Sequence, residues 1–147
     1  MRELKTSIEI NASPAEIWQV LMDFENYSHW NPFIKSINGN PETGAKIVAK
    51  IHPPGQRAMT VKPILLKVEE NKEFRWIGHL IFPGIFDGEH AFIIESAQDS
   101  RVIFRHEEKF SGILVPVFWK LLYQHTRAGF IEMNQALKKH VEGFVGT

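Results

Sequence analysis

Apolar and polar positions alternate from the first residues of the chain: Leu4, Thr6, Ile8 and Ile10 share one side, and Glu3, Lys5, Ser7 and Glu9 the other. That two-residue period is a strand with one face buried. Ser13-Pro14-Ala15-Glu16 then writes a helix start. Serine is the N-cap, proline occupies the first turn, where a missing N–H costs little, and the glutamate closes a capping box. Ile17, Trp18 and Leu21 fall on one side of this short helix. A second helical turn is predicted around 23–27, stopped at Trp30-Asn31-Pro32, because a residue before proline is pushed out of the helical region. From Phe33 onward, apolar stretches separated by turn residues predict strands over 34–38, 45–52, 58–69, 73–82, 86–95 and 101–111. Connections this short join antiparallel neighbours, so these six strands form a meander. Pro63 interrupts the strand at 58–69 and predicts a bulge or bend that lets the sheet curl.

The longest periodic stretch is 114–142. At about 3.6 residues per turn, Leu114, Val115, Phe118, Trp119, Leu122, Ala128, Phe130, Met133, Leu137 and Val141 cover one half of a helix. Lys120, Gln124, Arg127, Asn134, Gln135 and Lys138 take the other half. Pro116 sits in the first turn, and Gly143 is predicted just past the end, where a left-handed cap favours glycine. A helix with so wide and aromatic a face must lie across something large and apolar, and only the sheet qualifies. The predicted class is α+β: a seven-stranded curved antiparallel sheet wrapped around a long C-terminal helix, with two short helices after the first strand.

At 147 residues the chain is read as one domain, 1–147, able to bury a full core. The absence of cysteine removes disulfides, thiolate metal sites and cysteine nucleophiles. Lys plus Arg and Asp plus Glu both total 17 and neither sign runs in blocks, which argues against nucleic acid as a partner. The N-terminus has no apolar leader and no apolar run approaches ~20 residues, so a soluble, cytoplasmic protein without integral membrane association is expected, as monomer or homodimer.

Alternate turns of a meander gather at the same end. One end collects the polar segments 39–42, 69–72 and 98–100; the other collects 52–55, 82–86 and 112–119, rich in proline, isoleucine and phenylalanine. Apolar loops gathered at one end are either a greasy portal, capable of transient membrane contact, or a lid in which Phe82, Ile85 and Phe86 close the core over themselves.

The order of elements carries a resemblance. The segments from Ile10 to Trp18 and from Trp30 to Phe33, the strand Phe74-Arg75-Trp76-Ile77-Gly78, and the run from Glu107 through Phe110-Ser111-Gly112 to Pro116 resemble the START-like, or SRPBCC, helix-grip superfamily, in its polyketide cyclase/dehydrase-like ligand-binding branch. The resemblance spans essentially the whole chain and implies an apolar cavity between sheet and last helix. It leaves function open, since the superfamily includes hormone and lipid binders, aromatase/cyclases and activators of chaperone ATPases.

Strand parity gives candidate cavity residues. Val102, Phe104, His106, Glu108 and Phe110 share one face of the last strand; Phe86, Gly88, His90, Phe92 and Ile94 share one face of the strand before it. His90 then stands opposite either His106 or Glu108, and three polar groups meet in an aromatic wall. Four uses are open. The cluster satisfies itself, with Glu108 accepting from an imidazole and raising its pKa; it holds the polar end of an apolar ligand; its two histidines and carboxylate bind zinc; or it moves protons, with His90, His106 and Glu108 as catalytic candidates. No metal or other cofactor is expected, because no dedicated motif is present.

Phe74 and Trp76 face inward, Gly78 marks a close approach, and His79 is expected on the outer face. On the long helix Trp119, Leu122, Tyr123, Thr126 and Phe130 are either core or cavity wall, with Gly129 allowing close approach; Trp30 and Phe33 either line the cavity or anchor their loop. No role is assigned to His125 or His140. The reading that gathers these residues is a module that carries or sequesters a small hydrophobic molecule such as a lipid, polyketide or isoprenoid. An enzyme of the cyclase or dehydratase kind is the alternative, and a chaperone-activator-like interaction module ranks behind both.

Overall fold

The computed structural model describes residues 1–80 and 82–145, with side chains for all of these except Leu80, Phe144 and Val145. The order is β1 (Arg2–Ile10), α1 (Pro14–Met22), a 3-10 turn (Phe24–Asn26), α2 (Tyr27–Trp30), β2 (Ile34–Asn38), β3 (Val48–Ile51), β4 (Met59–Val61), β5 (Ile64–Glu69), β6 (Glu73–Leu80), β7 (Phe86–Ser96), β8 (Val102–Ser111) and α3 (Val115–Val145). The class is α+β as predicted: a curved antiparallel sheet against a long C-terminal helix.

Five strands run in the order β1-β8-β7-β6-β5, and three in the order β2-β3-β4. Residues just before β3 join the two sets: Gly44 N–H donates to Leu65 O at 2.7 Å, Leu65 N–H to Ala45 O at 2.9 Å, and Ile47 N–H to Pro63 O at 2.9 Å. Among the described residues there are eight strands where seven were expected, because the stretch 58–69 is two strands with Lys62 and Pro63 between them. Proline cannot donate to the ladder, so the chain turns a corner there instead of bulging within one strand. The predicted end of the strand 73–82 crosses Ile81, which lies outside the described residues.

The start of α1 forms as the sequence dictates. Glu16 N–H donates to Ser13 Oγ at 3.2 Å, and the Glu16 carboxylate accepts from Ser13 N–H at 3.2 Å. The short helical segment is a 3-10 turn followed by α2, and it ends at Asn31, whose backbone is already extended. Asn31 Oδ1 accepts from Phe33 N–H at 3.0 Å and Ile34 N–H at 2.8 Å, which folds the chain back and aims Phe33 inward.

The amphipathic face of α3 is real, with two corrections. Phe130, Met133, Leu137 and Val141 are fully buried, whereas Phe118 in the first half is largely exposed. Asn134, assigned to the polar half, is buried at 2% exposure. Gly143 is not a cap: α3 continues through it to Val145. Gly129 has a packing role, because a Cβ there would run into the Phe33 ring.

These two glycines should respond oppositely to alanine. Gly143→Ala gains helix propensity with nothing within 4 Å to obstruct it and should raise stability by roughly 0.5–1 kcal/mol. Gly129→Ala gains the same propensity but displaces Phe33, and thermal unfolding should show a net loss. A stabilised Gly129→Ala protein would mean that Phe33 yields freely.

Candidate functional site

β7 and β8 pair with His90 opposite Glu108 and Phe92 opposite His106, so of the two pairings that parity allowed the register selects the one with Glu108. All five inward positions of β8 point to the interior, and they meet a stack of rings. Phe92 lies against Phe74 at 4.3 Å and against His90 at 4.4 Å; His106 lies flat on Phe130 at 3.8 Å between centroids. Trp76 closes on His90 at 5.0 Å.

Within this wall the polar groups form a chain. His90 Nδ1 is 3.6 Å from Glu108 Oε1, and His90 Nε2 is 2.6 Å from His106 Nε2. His106 Nδ1 is 2.9 Å from Asn134 Oδ1, Asn134 Nδ2–H donates to Thr6 Oγ1 at 2.9 Å, and the Thr6 hydroxyl donates to the His106 carbonyl oxygen at 2.9 Å. Four elements, β1, β7, β8 and α3, each supply a member.

Burial determines the charge state. His106 is pushed down to about 3 by burial, against the opposing hydrogen bonds to Asn134 and the Phe130 backbone. His90 is lowered well below the usual imidazole range by burial and then by its neighbour His106. Glu108 is pushed up to about 8 by burial. The expectation that Glu108 would raise an imidazole pKa is therefore wrong: desolvation exceeds attraction across 3.6 Å, and near neutral pH all three groups are uncharged. Gly88 makes space for the carboxyl, since a Cβ there would collide with it. The two Nε2 atoms stand closer than the roughly 3.3 Å separating two nitrogens on one tetrahedral zinc. Among the described residues no group of three or more His, Asp and Glu is arranged to hold a metal ion.

A cavity of about 130 Å³ lies beside this chain. Of the predicted residues, Phe33, Trp76, Phe86, His90, Glu108, Phe110, Leu122 and Thr126 line it. Glu108 keeps 15% of its side chain accessible there. Phe92, Phe104, His106 and Phe130 stand behind that wall as core. Trp119 packs on Phe110 under the Arg2 guanidinium, and Tyr123 lies beyond it, exposed. Trp30 is elsewhere, stacked on His140. Phe82 is 68% exposed and does not line the cavity, and Ile113 at 70% and Val117 at 73% are likewise exposed outside its lining.

Sequence reasoning missed Ile51, Pro53, Met59, Val61 and Pro63, which form the wall contributed by β3, β4 and their connections. It also missed His79, which belongs to the rim and is bonded to Asp87 at 2.6 Å, and His125, whose ring bonds Pro54 O at 3.0 Å and Gln56 at 3.2 Å and so ties the β3–β4 loop to α3. Asn134 had a signal: it lies one turn after Phe130 and three residues before Leu137, a polar residue inside an apolar stripe.

The family model described as polyketide cyclase / dehydrase and lipid transport matches residues 1–142. No curated protein matches the sequence. Among solved structures, a START superfamily protein from Mycobacterium smegmatis is 18% identical, covering 97% of this chain and 98% of that chain with a TM-score of 0.77. Norcoclaurine synthase from Thalictrum flavum, solved with dopamine and hydroxybenzaldehyde, is 12% identical over 97% of this chain and 87% of its own, TM-score 0.73. The di-domain ARO/CYC StfQ from the steffimycin biosynthetic pathway is 9% identical over 99% of this chain and 52% of its own, TM-score 0.74. At these identities the likeness concerns the fold, a START-type helix grip, and with the match over residues 1–142 the chain belongs to the polyketide cyclase / dehydrase and lipid transport family.

Proposed function

We propose that the chain is a single ligand-binding domain that carries or sequesters a small, mostly apolar molecule in the cavity between sheet and α3. The observation that carries this is the lining: Phe33, Ile51, Met59, Trp76, Phe110 and Leu122 surround a space into which His90 and Glu108 turn polar atoms. Apolar walls with a few convergent polar groups are the usual make-up of small-molecule sites. Size narrows the reading. A dry cavity of ~150 Å³ accommodates benzene, so about 130 Å³ suits one ring or the head of a longer molecule. A lipid, polyketide or isoprenoid would leave its remainder in the rim.

The rim supports access from an apolar surface. Phe82, Ile113, Val117 and Leu121 are exposed apolar residues at the same end of the sheet as Phe86 and Phe110, which line the cavity, whereas the segment 69–72 at the other end is polar. Among the described residues no helix is long and apolar enough to cross a membrane, so contact with a bilayer would be transient and confined to this rim.

A second reading is a cyclase- or dehydratase-like enzyme. A carboxyl held protonated near neutral pH beside an imidazole nitrogen suits general acid–base chemistry.

Three measurements test these readings. Gly78 lines the cavity, and a Cβ there would meet only Pro63 at an ordinary 3.8 Å. Gly78→Val should therefore fill the space, weakening uptake of single-ring compounds at least tenfold by tryptophan fluorescence while the fold stays intact; undiminished uptake would put the ligand elsewhere. Detergent micelles should shift amide signals of Ile113, Val117 and Leu121 and leave 69–72 unmoved, whereas uniform shifts would remove the portal. The third concerns pH. Above 4.5 the unfolded chain releases the Glu108 proton while the folded chain keeps it to about 8, so this group's contribution falls across that window. Below 6.5 the unfolded chain charges both histidines and the folded one does not, so their contribution is lost as pH falls. Stability from the three groups should peak near pH 6.5, and Glu108→Gln should abolish the decline from there to 8. An identical decline in that variant would mean Glu108 is already ionised.

A further inference from the structure

The hydrogen-bond chain has a direction, and its far end decides it. The His106 carbonyl can only accept, so the single Thr6 hydroxyl proton is committed to it. Thr6 Oγ1 must then accept from Asn134 Nδ2–H, which turns Asn134 Oδ1 toward His106. That oxygen can only accept, so His106 carries its proton on Nδ1. A neutral imidazole has one N–H, so His106 Nε2 is bare and takes the Nε2–H of His90 across 2.6 Å. By the same count His90 Nδ1 is left as a bare lone pair. It lies on the cavity side, 3.6 Å from the Glu108 carboxyl, too far for a direct hydrogen bond. One backbone carbonyl thus propagates through four side chains to present a fixed acceptor beside a carboxyl group.

We propose that the cavity recognises a neutral hydroxyl on a single ring, an alcohol or a phenol, held as acceptor from Glu108 and donor to His90 Nδ1. This rests on the cavity being a small-molecule site and names the ligand class. A hydroxyl satisfies both groups with one atom. A ketone accepts from Glu108 but has nothing to donate to His90. A carboxylate has the same defect and adds a buried charge, and no lysine or arginine lines the cavity to offset it. An ammonium donates to His90 but accepts nothing from Glu108. An aliphatic ring without oxygen leaves both polar groups unmatched in a space too small to keep their water as well. The protonated state of Glu108 imposed by burial is consistent with this division of roles.

Four probes of similar size separate the alternatives: cyclohexanol, cyclohexanone, cyclohexylamine and methylcyclohexane, titrated at pH 6.5 by native mass spectrometry, with tryptophan fluorescence as a check. Cyclohexanol should bind about tenfold more tightly than cyclohexanone, the factor expected of one buried hydrogen bond. Glu108→Leu should weaken the alcohol and the ketone alike and leave their ratio near tenfold, because the donor it removes serves both. Asn134→Leu should instead reduce the ratio toward one, because His106 is then free to move its proton and His90 Nδ1 can become a donor that serves the ketone. If the ketone or the amine binds as well as the alcohol, the hydroxyl assignment is overturned while the cavity remains a binding site. If none of the four binds, the assignment and the small-molecule reading both fall. Should either variant fail to fold, the ranking of the four probes on the unmodified protein still decides between these outcomes.

Discussion

A polar group can remain in an apolar interior only if it is uncharged and its hydrogen bonds are met; an unmet one costs on the order of 1–3 kcal/mol and a lone charge more. The wall between β7, β8 and α3 holds two imidazoles, a carboxamide and a carboxyl among phenylalanine rings, so this condition governs how these elements meet. It requires the His90–Glu108 register, because a shift by one residue would turn the histidines to solvent and bury Glu89 and Glu107 in their place. It also requires α3 to keep the rotation that points Asn134 at His106. The ring stack and the hydrogen-bond chain are thus one device: the rings exclude water, and the chain makes that exclusion tolerable.

The same geometry explains why a hollow remains. Near its C-terminal end α3 is clamped against β1, with Lys138 donating to Glu9 O at 2.9 Å and Glu142 accepting from Asn11 N–H at 2.9 Å. In its first half Val117, Phe118 and Leu121 are exposed. Between the two halves sits Gly129, where Phe33 lies against the helix backbone and plugs the deep side. The cavity occupies the wedge beyond Phe33, and Gly78 and Gly88 keep its floor clear of side chains. Side chains of ordinary size at those three positions would convert the wedge into core.

Much of this was legible because strand parity is a strict rule. The inward faces of β7 and β8 followed from a two-residue period sustained over ten or so positions, and they brought His90, His106 and Glu108 together before any coordinates. The capping box at Ser13 and the stop at Asn31 were legible for a similar reason, since local backbone chemistry leaves few options. What stayed hidden was set by tertiary context. Asn134 was placed by its chemistry and not by its angle on the helix, although Phe130 and Leu137 already marked that angle as buried. Met59 and Val61 lie on a strand of three residues, too short for a period to declare a face. Gly143 looked like a cap because glycine favours that role, but α3 runs on through it to Val145. Trp30 had two readings, cavity wall or loop anchor, and it stacks on His140, away from the cavity.

The cluster also separates two kinds of ligand that a helix grip can serve. Binding an anionic headgroup requires a buried cation or several oriented N–H donors, and the lining offers neither lysine nor arginine. Introducing an anion beside Glu108 would drive its proton affinity higher still, so carboxyl and anion would compete for the same low-dielectric space. A neutral ligand imposes no such conflict, and it leaves the hydrogen-bond chain in the protonation state that burial already dictates. On the proposed reading, the electrostatics of three residues would divide candidate ligands more sharply than cavity volume does. Volume would limit how much of a molecule enters, and the neutral chain would limit which chemical end of it goes in first.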